Sequence, residues 1–142
     1  MARGGINHLD LTVSEPRRSI AFYERILDYM GYRRSRSDDG SGGADWLAPP
    51  TSPTPMSIGI CPAKPESKTL RHDRYAPGLH HVAFHADSRA DVDRFHQLLI
   101  EMGAKVIDAP AEYPRYGSPY YAVFFSDPDG LKLEFVYWPH PK

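Results

Sequence analysis

The sequence contains one pattern of predicted elements twice, and this internal repeat constrains the fold more than any other feature. In each half, a strand carrying a histidine precedes a helix, and a glycine follows the helix. The offset is 73 residues from His8 to His81 and 72 residues from Gly31 to Gly103. Because strand, helix and glycine match together, a duplication is favoured over two unrelated helices. The repeat divides the chain into three segments. Module one is residues 1–62, a connector is residues 63–77, and module two is residues 78–142.

Hydrophobic periodicity assigns the elements of each module. Alternating apolar residues predict first strands at 6–13 and 79–85, and apolar residues at helical spacing follow each of them. Ser14 and Ser88 are the predicted N-caps, and Asp91 resembles the partner of Ser88 in a capping box. Three further strands complete each module. In module one they are predicted at 32–37, 45–48 and 57–61, and in module two at 105–107, 120–126 and 131–138. The predicted fold class is α+β, with two tandem βαβββ modules and a curved antiparallel sheet in each.

The composition is that of an ordinary globular domain and excludes several classes of partner. The chain has 142 residues, of which 41% are hydrophobic and 25% charged, and its formal net charge is -1. This balance gives no attraction to nucleic acid, and no apolar run approaches the ~20 residues of a membrane helix. The single cysteine, Cys61, excludes an internal disulfide and fits a reducing cytoplasm. We expect a cytoplasmic protein whose partner is a small molecule.

Glu134 is a carboxylate in an otherwise apolar predicted strand, where burial is costly unless the group is paired or holds a metal. Two like modules can pack about a pseudo-twofold axis, which would turn His8 and His81 toward one cavity. Two neutral imidazoles and one carboxylate suit a divalent first-row metal and leave positions open for substrate. The alternative is that the histidines are hydrogen-bonded separately and that Glu134 lies at an exposed edge.

The repeat also predicts a fourth ligand position, which this chain does not fill. Aligning residues 56–61 with residues 131–136 places Gly59 at the position of Glu134. Alternation along the strand sends His80 to the face opposite His81, whereas His85 shares the face of His81. Because its offset also matches that of His8, we expect His81 to be the ligand, and we expect His85 to support a ligand or to contact substrate.

Three motifs in order resemble the vicinal oxygen chelate superfamily, also called the glyoxalase/bleomycin-resistance/dioxygenase superfamily. They are INHLDLTV with SIAFYERIL and MGY, then GLHHVAFHA, then YYAVFFSDPDGLKLEFVYW. The resemblance covers nearly the whole chain. It implies paired βαβββ modules that form a half-barrel cleft around a metal, with His8, His81 and Glu134 as ligands. It further implies a metal that acts as a Lewis acid on substrate oxygens, and homodimers are common among such proteins.

The sequence departs from several branches of this superfamily. Gly59 argues against glyoxalase I, which uses four ligands, two of them glutamates. Phe124 and Gly117 stand where extradiol dioxygenases place a tyrosine and a histidine. Fosfomycin-resistance thiol transferases use two histidines and one glutamate, as here, although their phosphonate-binding cluster is not visible in this sequence. Bleomycin-type binding proteins lack the metal ligands.

The segment 112–121, EYPRYGSPYY, precedes the last two strands and is rich in tyrosine. Tyrosine hydroxyls and a guanidinium at the mouth of a cavity bind anionic or oxygen-rich substrates. We assign catalytic assistance to Tyr121 and Arg115, and substrate binding to Tyr113, Tyr116 and Tyr120. The alternative is that the tyrosines pack as anchors of the loop or at a subunit contact.

Functions from two classes follow from these features. The leading hypothesis is a metal-dependent enzyme of the lyase/isomerase or oxygenase type, acting on a small oxygen-bearing substrate chelated by a divalent metal. The alternatives are a small-molecule-binding or drug-sequestering resistance-type protein without turnover, and a fosfomycin-resistance-like thiol transferase. The sequence does not choose among Zn, Fe, Mn, Ni and Co, and it does not name the substrate.

Overall fold

Two compact units, Met1–Leu70 and Arg71–Lys142, make up the chain. The structure is a computed structural model that describes residues 3–35 and 40–139. Each unit contains one α-helix and one four-stranded sheet, so the predicted α+β class and the two βαβββ modules are confirmed. Neither α-helix in these described stretches has the length and apolar character that crossing a membrane requires.

The first unit follows the predicted element order. Its elements are strand β1 (His8–Val13), helix α1 (Pro16–Tyr29) and strands β2 (Arg33–Arg34), β3 (Ala44–Leu47) and β4 (Ser57–Pro62). Strand β2 is shorter than the predicted strand at 32–37, of which residues 36–37 lie outside the described residues. Its two arginines are exposed, which gives this strand little apolar surface to bury.

The second unit repeats this order with a longer second strand. Its elements are strand β5 (His81–His85), helix α2 (Arg89–Glu101) and strands β6 (Lys105–Glu112), β7 (Tyr121–Ser126) and β8 (Lys132–Tyr137). The prediction ended β6 at residue 107. Register shifts between Val106 and Asp108 and between Asp108 and Ala111 interrupt its pairing with β7. Such irregularities break the period-two pattern on which the sequence prediction depended.

Each sheet is mixed rather than antiparallel, which corrects the sequence prediction. The strand orders are β1-β4-β3-β2 and β5-β8-β7-β6, and the first strand of each module is parallel to the last. The helix after the first strand returns the chain to the edge at which that strand began. The second strand therefore runs in the direction of the first, and two antiparallel reversals then leave the fourth strand parallel to the first.

The ends of the helices depend on local backbone hydrogen bonds. Ser88 is the predicted N-cap of α2, and its Oγ accepts a hydrogen bond from the backbone N–H of Asp91 at 3.0 Å. Both helices end before a glycine with positive φ, 84° at Gly31 and 65° at Gly103. A glycine in this conformation closes the last turn without a steric penalty, as the sequence predicted.

Helix α1 begins differently from the prediction. Its N-cap is Glu15 rather than Ser14. The Glu15 carboxylate accepts hydrogen bonds from the backbone N–H groups of Arg17 and Arg18, at 3.2 and 2.9 Å. A carboxylate at this position binds the free N–H groups of the first turn as a serine hydroxyl would. The sequence prediction favoured serine from its general preference and so placed the cap one residue early.

Replacing Ser88 with alanine tests the second helix. We expect Ser88→Ala to lower the free energy of unfolding by about 1 kcal/mol, since the Asp91 N–H loses its acceptor. Ser88→Asn retains an acceptor, so its free energy of unfolding is expected to stay close to that of the native chain. Urea unfolding followed by circular dichroism measures both. Equal losses in the two variants would show that the hydroxyl does not act as the cap.

Candidate functional site

The candidate site lies on the face of the second sheet that helix α2 leaves uncovered. Phe95 of α2 is fully buried, and its ring centre lies 5.2 Å from that of Phe125 and 4.6 Å from that of Phe135. Side chains alternate along a strand, so the neighbouring residues Phe124 and Glu134 project from the other face. Phe124 and Glu134 are paired across strands β7 and β8. This second face carries the chemistry described below.

His81 and Glu134 meet on this face, as the sequence predicted. The Nε2 atom of His81 lies 3.1 Å from Oε2 of Glu134. The side chain of Glu134 is 2% exposed and that of His81 is 34% exposed. Strands β5 and β8 are parallel neighbours, and Ala83 of β5 is opposite Glu134, which brings His81 within reach from one side. The pair therefore combines a buried carboxylate with an imidazole that is accessible from solvent.

Tyr120 satisfies the second oxygen of the carboxylate. Its hydroxyl donates a short hydrogen bond to Oε1 of Glu134. Burial, followed by this hydrogen bond and the charge of Glu134, raises the pKa of Tyr120 well above its ordinary value of 10.0. The hydroxyl consequently keeps its proton to a higher pH than an ordinary tyrosine does. Since a buried carboxylate without partners costs several kcal/mol, Tyr120 and His81 together account for the stability of Glu134 at this position.

An aromatic group surrounds Tyr120. The ring centre of Tyr120 lies 5.3 Å from that of Tyr116 and 5.3 Å from that of Trp138. Tyr113 stacks on Tyr116 with ring centres 5.9 Å apart, and it contacts Phe124 edge-on at 5.3 Å. Burial also raises the pKa of Tyr113, with the charges of nearby acidic groups adding to the effect. The three tyrosines assigned to substrate binding therefore form one group, in which Tyr120 contacts Glu134.

Arg115 lies at the exposed side of this aromatic group. Its Nη2 donates a hydrogen bond to the hydroxyl of Tyr116 at 2.7 Å, and its guanidinium carbon lies 4.6 Å from the centre of that ring. The guanidinium is therefore held against Tyr116 rather than against Glu134. A contact with substrate remains a prediction for this residue.

Tyr121 lies on the opposite face of the sheet. Its hydroxyl donates to Oδ1 of Asp93 in α2 at 2.6 Å, and the guanidinium of Arg89 lies 5.3 Å from its ring centre. The sequence prediction places Tyr121 among the catalytic residues because it belongs to the tyrosine-rich segment 112–121. Tyr121 is the first residue of β7 and its hydroxyl is bound to Asp93, whereas Tyr120, just before the strand, reaches Glu134.

His80 is closer to His81 than strand alternation predicted. Their Nδ1 atoms lie 2.8 Å apart, and their ring centres are separated by 5.0 Å at an angle of 77°. His80 precedes the first residue of β5, so the alternation of the strand does not extend to it. His85 is exposed at the other end of β5, where it pairs with Val136. It shares the face of His81, as expected, and its contact with substrate remains a prediction.

Two further residues of this face were not identified from the sequence. Lys132 places its Nζ 4.3 Å from the ring centre of Phe124. Trp138 contacts Tyr120, as described above. Lys132 lies two residues before Glu134 and Trp138 lies four residues after it, so the period of the strand was the available signal for both.

The equivalent position in the first unit confirms the alignment made from the sequence. Gly59 pairs with Asp10 and Asp45, in the register in which Glu134 pairs with Ala83 and Phe124. A Cβ atom at Gly59 would lie 2.3 Å from Oδ1 of Asp10 and 2.6 Å from Oδ1 of Asp45. The two carboxylates therefore occupy the space that a side chain at this position would need.

His8 is the exposed first residue of β1 in the first unit. Its Nδ1 lies 2.9 Å from Oδ1 of Asn7, and its Nε2 lies 3.9 Å from Oδ2 of Asp10. If Nδ1 donates to the Asn7 amide oxygen, the lone pair of the imidazole is on Nε2. This tautomer leaves Nε2 available to bind a metal.

The donor set of the second unit fits a divalent metal ion. Taken unit by unit, the described residues contain no group of three or more His, Cys, Asp or Glu side chains able to hold one. Glu134 and His81 nevertheless offer one oxygen and one nitrogen donor that already face each other. Imidazole nitrogen with carboxylate oxygen is the combination that Zn, Fe, Mn, Ni and Co accept in proteins. Glu134 is held by hydrogen bonds of the kind that orient ligating carboxylates.

Comparison with known proteins identifies the family of this chain. The model of the Glyoxalase/Bleomycin resistance protein/Dioxygenase superfamily matches residues 5–135. The chain belongs to this superfamily. The resemblance seen in the three sequence motifs is thereby confirmed.

Individual relatives in the superfamily are similar over most of the chain. The Bacillus subtilis protein YqjT is 30% identical over 92% of this chain and 97% of its own length. The metallothiol transferase FosB of Bacillus licheniformis is 28% identical over 92% of this chain and 73% of its own. A solved structure from Bacillus halodurans, described provisionally as a glyoxalase, has a TM-score of 0.78 and 28% identity, covering 96% of this chain and 97% of that one.

The two tyrosine–carboxylate hydrogen bonds provide a matched test of the site. In metal-free protein, we expect Tyr120→Phe to lower the free energy of unfolding by about 1.5–3 kcal/mol, because a buried carboxylate loses a donor. Tyr121→Phe removes a similar bond to the exposed Asp93 and is expected to cost no more than about 0.5 kcal/mol. Urea unfolding at pH 7 measures both. Equal effects would contradict the assignment of Tyr120 as the residue that supports Glu134.

The pKa of Tyr120 gives this difference a pH dependence. In the unfolded chain the hydroxyl ionises near its ordinary pKa of 10.0, whereas in the folded protein it retains its proton to higher pH. The stabilising effect of Tyr120 is therefore complete below pH 10 and declines as the pH rises further. Urea unfolding of the native chain and of Tyr120→Phe, at pH 8 and above pH 10, measures this effect. The difference in free energy of unfolding between the two proteins is expected to be smaller above pH 10. A difference that does not change with pH would contradict the raised pKa.

Proposed function

We propose that this chain is a metal-dependent enzyme that acts on a small oxygen-bearing substrate. The observation that carries the proposal is the pairing of buried Glu134 with Nε2 of His81 at 3.1 Å. His81 and Glu134 would hold a divalent ion, and we propose His8 as the third ligand. Membership of the superfamily supports this assignment, since relatives such as FosB carry a metal-dependent activity in their names.

The chain's own residues would divide the remaining work. A bound divalent ion supplies Lewis-acid stabilisation of negative charge on substrate oxygens. Tyr120 would hold Glu134 in one orientation through its hydroxyl, which donates a hydrogen bond to Oε1 of the carboxylate. Tyr113, Tyr116 and Arg115 would contact the substrate at the side of the aromatic group, where Arg115 and Tyr116 are exposed.

Metal content is the first test of this proposal. We expect native protein, purified without a chelating tag, to contain about one divalent metal per chain, or to take it up after incubation. His8→Ala, His81→Ala and Glu134→Ala are each expected to lose it, whereas His85→Ala on the same strand as His81 should retain it. Inductively coupled plasma mass spectrometry measures all five proteins.

Two results bear against the proposal. Native protein that remains free of metal after incubation with each of the five divalent ions would contradict it and leave a binding protein without turnover. Metal that persists in both His81→Ala and Glu134→Ala would place the ion elsewhere in the chain.

Thiol transfer is a second candidate reaction, supported by the name of one relative. The similarity to the metallothiol transferase FosB covers 92% of this chain. In such a reaction the thiol sulfur forms a bond to a substrate carbon, a carbon–oxygen bond breaks, and the released oxygen takes up a proton. We propose this as the second candidate function beside lyase, isomerase or oxygenase chemistry.

Free-thiol consumption distinguishes thiol transfer from the other reactions. Protein loaded with each metal is incubated with fosfomycin and a low-molecular-weight thiol such as cysteine, and the remaining thiol is titrated. We expect metal-dependent loss of thiol that Glu134→Ala and a chelator both abolish. Loss that continues in Glu134→Ala, or no loss with any metal, would contradict thiol transfer to this substrate.

A further inference from the structure

His81 contacts a different partner through each of its ring nitrogens. Nε2 lies 3.1 Å from Oε2 of Glu134, and Nδ1 lies 2.8 Å from Nδ1 of His80. A neutral imidazole has one N–H donor and one nitrogen acceptor. The two contacts of His81 are therefore coupled, because the nitrogen that donates on one side decides which nitrogen accepts on the other.

The contact between the two Nδ1 atoms can contain only one hydrogen when both rings are neutral. If His81 donates Nε2–H to Glu134, its Nδ1 accepts, and His80 must carry its hydrogen on Nδ1. If instead Nε2 of His81 has the lone pair, its hydrogen is on Nδ1 and His80 accepts it. Each state of His81 therefore requires one particular tautomer of His80.

We propose that His80 is a positioning residue that fixes the ring orientation of His81, and that the two histidines exchange tautomers together when a divalent cation binds to His81 and Glu134. This inference rests on the proposed function, since it requires the cation at that pair. It assigns a role to a residue that would otherwise be an exposed histidine before a strand.

The exchange conserves hydrogens and charge within the pair. Before binding, His81 carries its hydrogen on Nε2 and His80 on Nδ1. After binding, His81 carries it on Nδ1 and His80 on Nε2. His80 is exposed, so its Nε2 takes up a proton from solvent, while the Nε2 proton of His81 is released as the cation binds. Each ring remains neutral with one hydrogen. The hydrogen between the two Nδ1 atoms is transferred from His80 to His81.

Neighbouring residues hold His80 in the orientation that this contact needs. The ring of Tyr75 lies edge-on to His80, with ring centres 5.9 Å apart. Arg74 donates to the Tyr75 hydroxyl at 2.9 Å, and its guanidinium carbon lies 4.9 Å from the centre of the Tyr75 ring. Tyr75 itself is 78% exposed, so its ring contacts with Arg74 and His80 lie at the surface. A large aromatic ring at an exposed position thus supports the histidine that contacts His81.

Zinc affinity of three variants tests the proposal. We expect His80→Phe, which keeps a flat ring but offers no acceptor, to weaken zinc binding by about 10–100-fold, as loss of an outer-shell partner commonly does. His80→Asn offers an amide oxygen in place of Nδ1, so its zinc affinity is expected to stay within a few-fold of that of native protein. Glu134→Ala, which removes a ligand, reports whether the zinc is at this site. Competition with a chromophoric chelator measures each affinity.

Nitrogen NMR of labelled histidines provides a second measurement, because it detects the tautomer of each ring. A residue that only stabilises the fold would show no change of tautomer when zinc binds. Zinc is expected to shift the hydrogen of His81 from Nε2 to Nδ1 and that of His80 from Nδ1 to Nε2. One set of results overturns the inference and leaves the proposed function standing. In it, zinc binding depends on Glu134, His80→Phe binds zinc as tightly as native protein, and neither tautomer changes. Zinc binding that is unaffected by Glu134→Ala overturns both.

Discussion

The site depends on one buried carboxylate. Glu134 is 1% exposed and projects from a sheet face whose other residues are mainly apolar or aromatic. Such a group is tolerated only when each oxygen has a partner, because desolvation otherwise costs several kcal/mol. Tyr120 and His81 supply one partner each. The aromatic residues around Tyr120 and the histidine beside His81 can be understood as the surroundings that these two partners require.

The two modules differ at the position of this carboxylate. Both modules use the same strand order and the same register, yet position 59 is glycine where its counterpart is Glu134. In the first unit, the carboxylates of Asp10 and Asp45 lie against that glycine, so a side chain there would require them to move. The two modules thus share a backbone plan but differ in the chemistry of the same sheet face, so the repeat is not functionally symmetric.

The repeat, the fold class and the pairing of His81 with Glu134 could all be predicted from the sequence. Periodicity and the offset between modules fix which residues share a face, and that information was sufficient for these three features. The placement of Tyr121 and His80 was not predictable in the same way. Tyr120 and Tyr121 look alike in sequence, but β7 begins at Tyr121, which contacts α2, while Tyr120 before the strand contacts Glu134. The contact of His80 depends on where β5 begins, a boundary that periodicity locates to within about two residues.

The central claim is that His81 and Glu134 bind a divalent metal ion directly. Anomalous diffraction at the absorption edge of the metal, from crystals grown with that metal, tests it without reference to a substrate. We expect an anomalous peak bonded to Nε2 of His81 and to a carboxylate oxygen of Glu134. A peak bonded to neither residue, with the direct contact of 3.1 Å between them still in place, would contradict it.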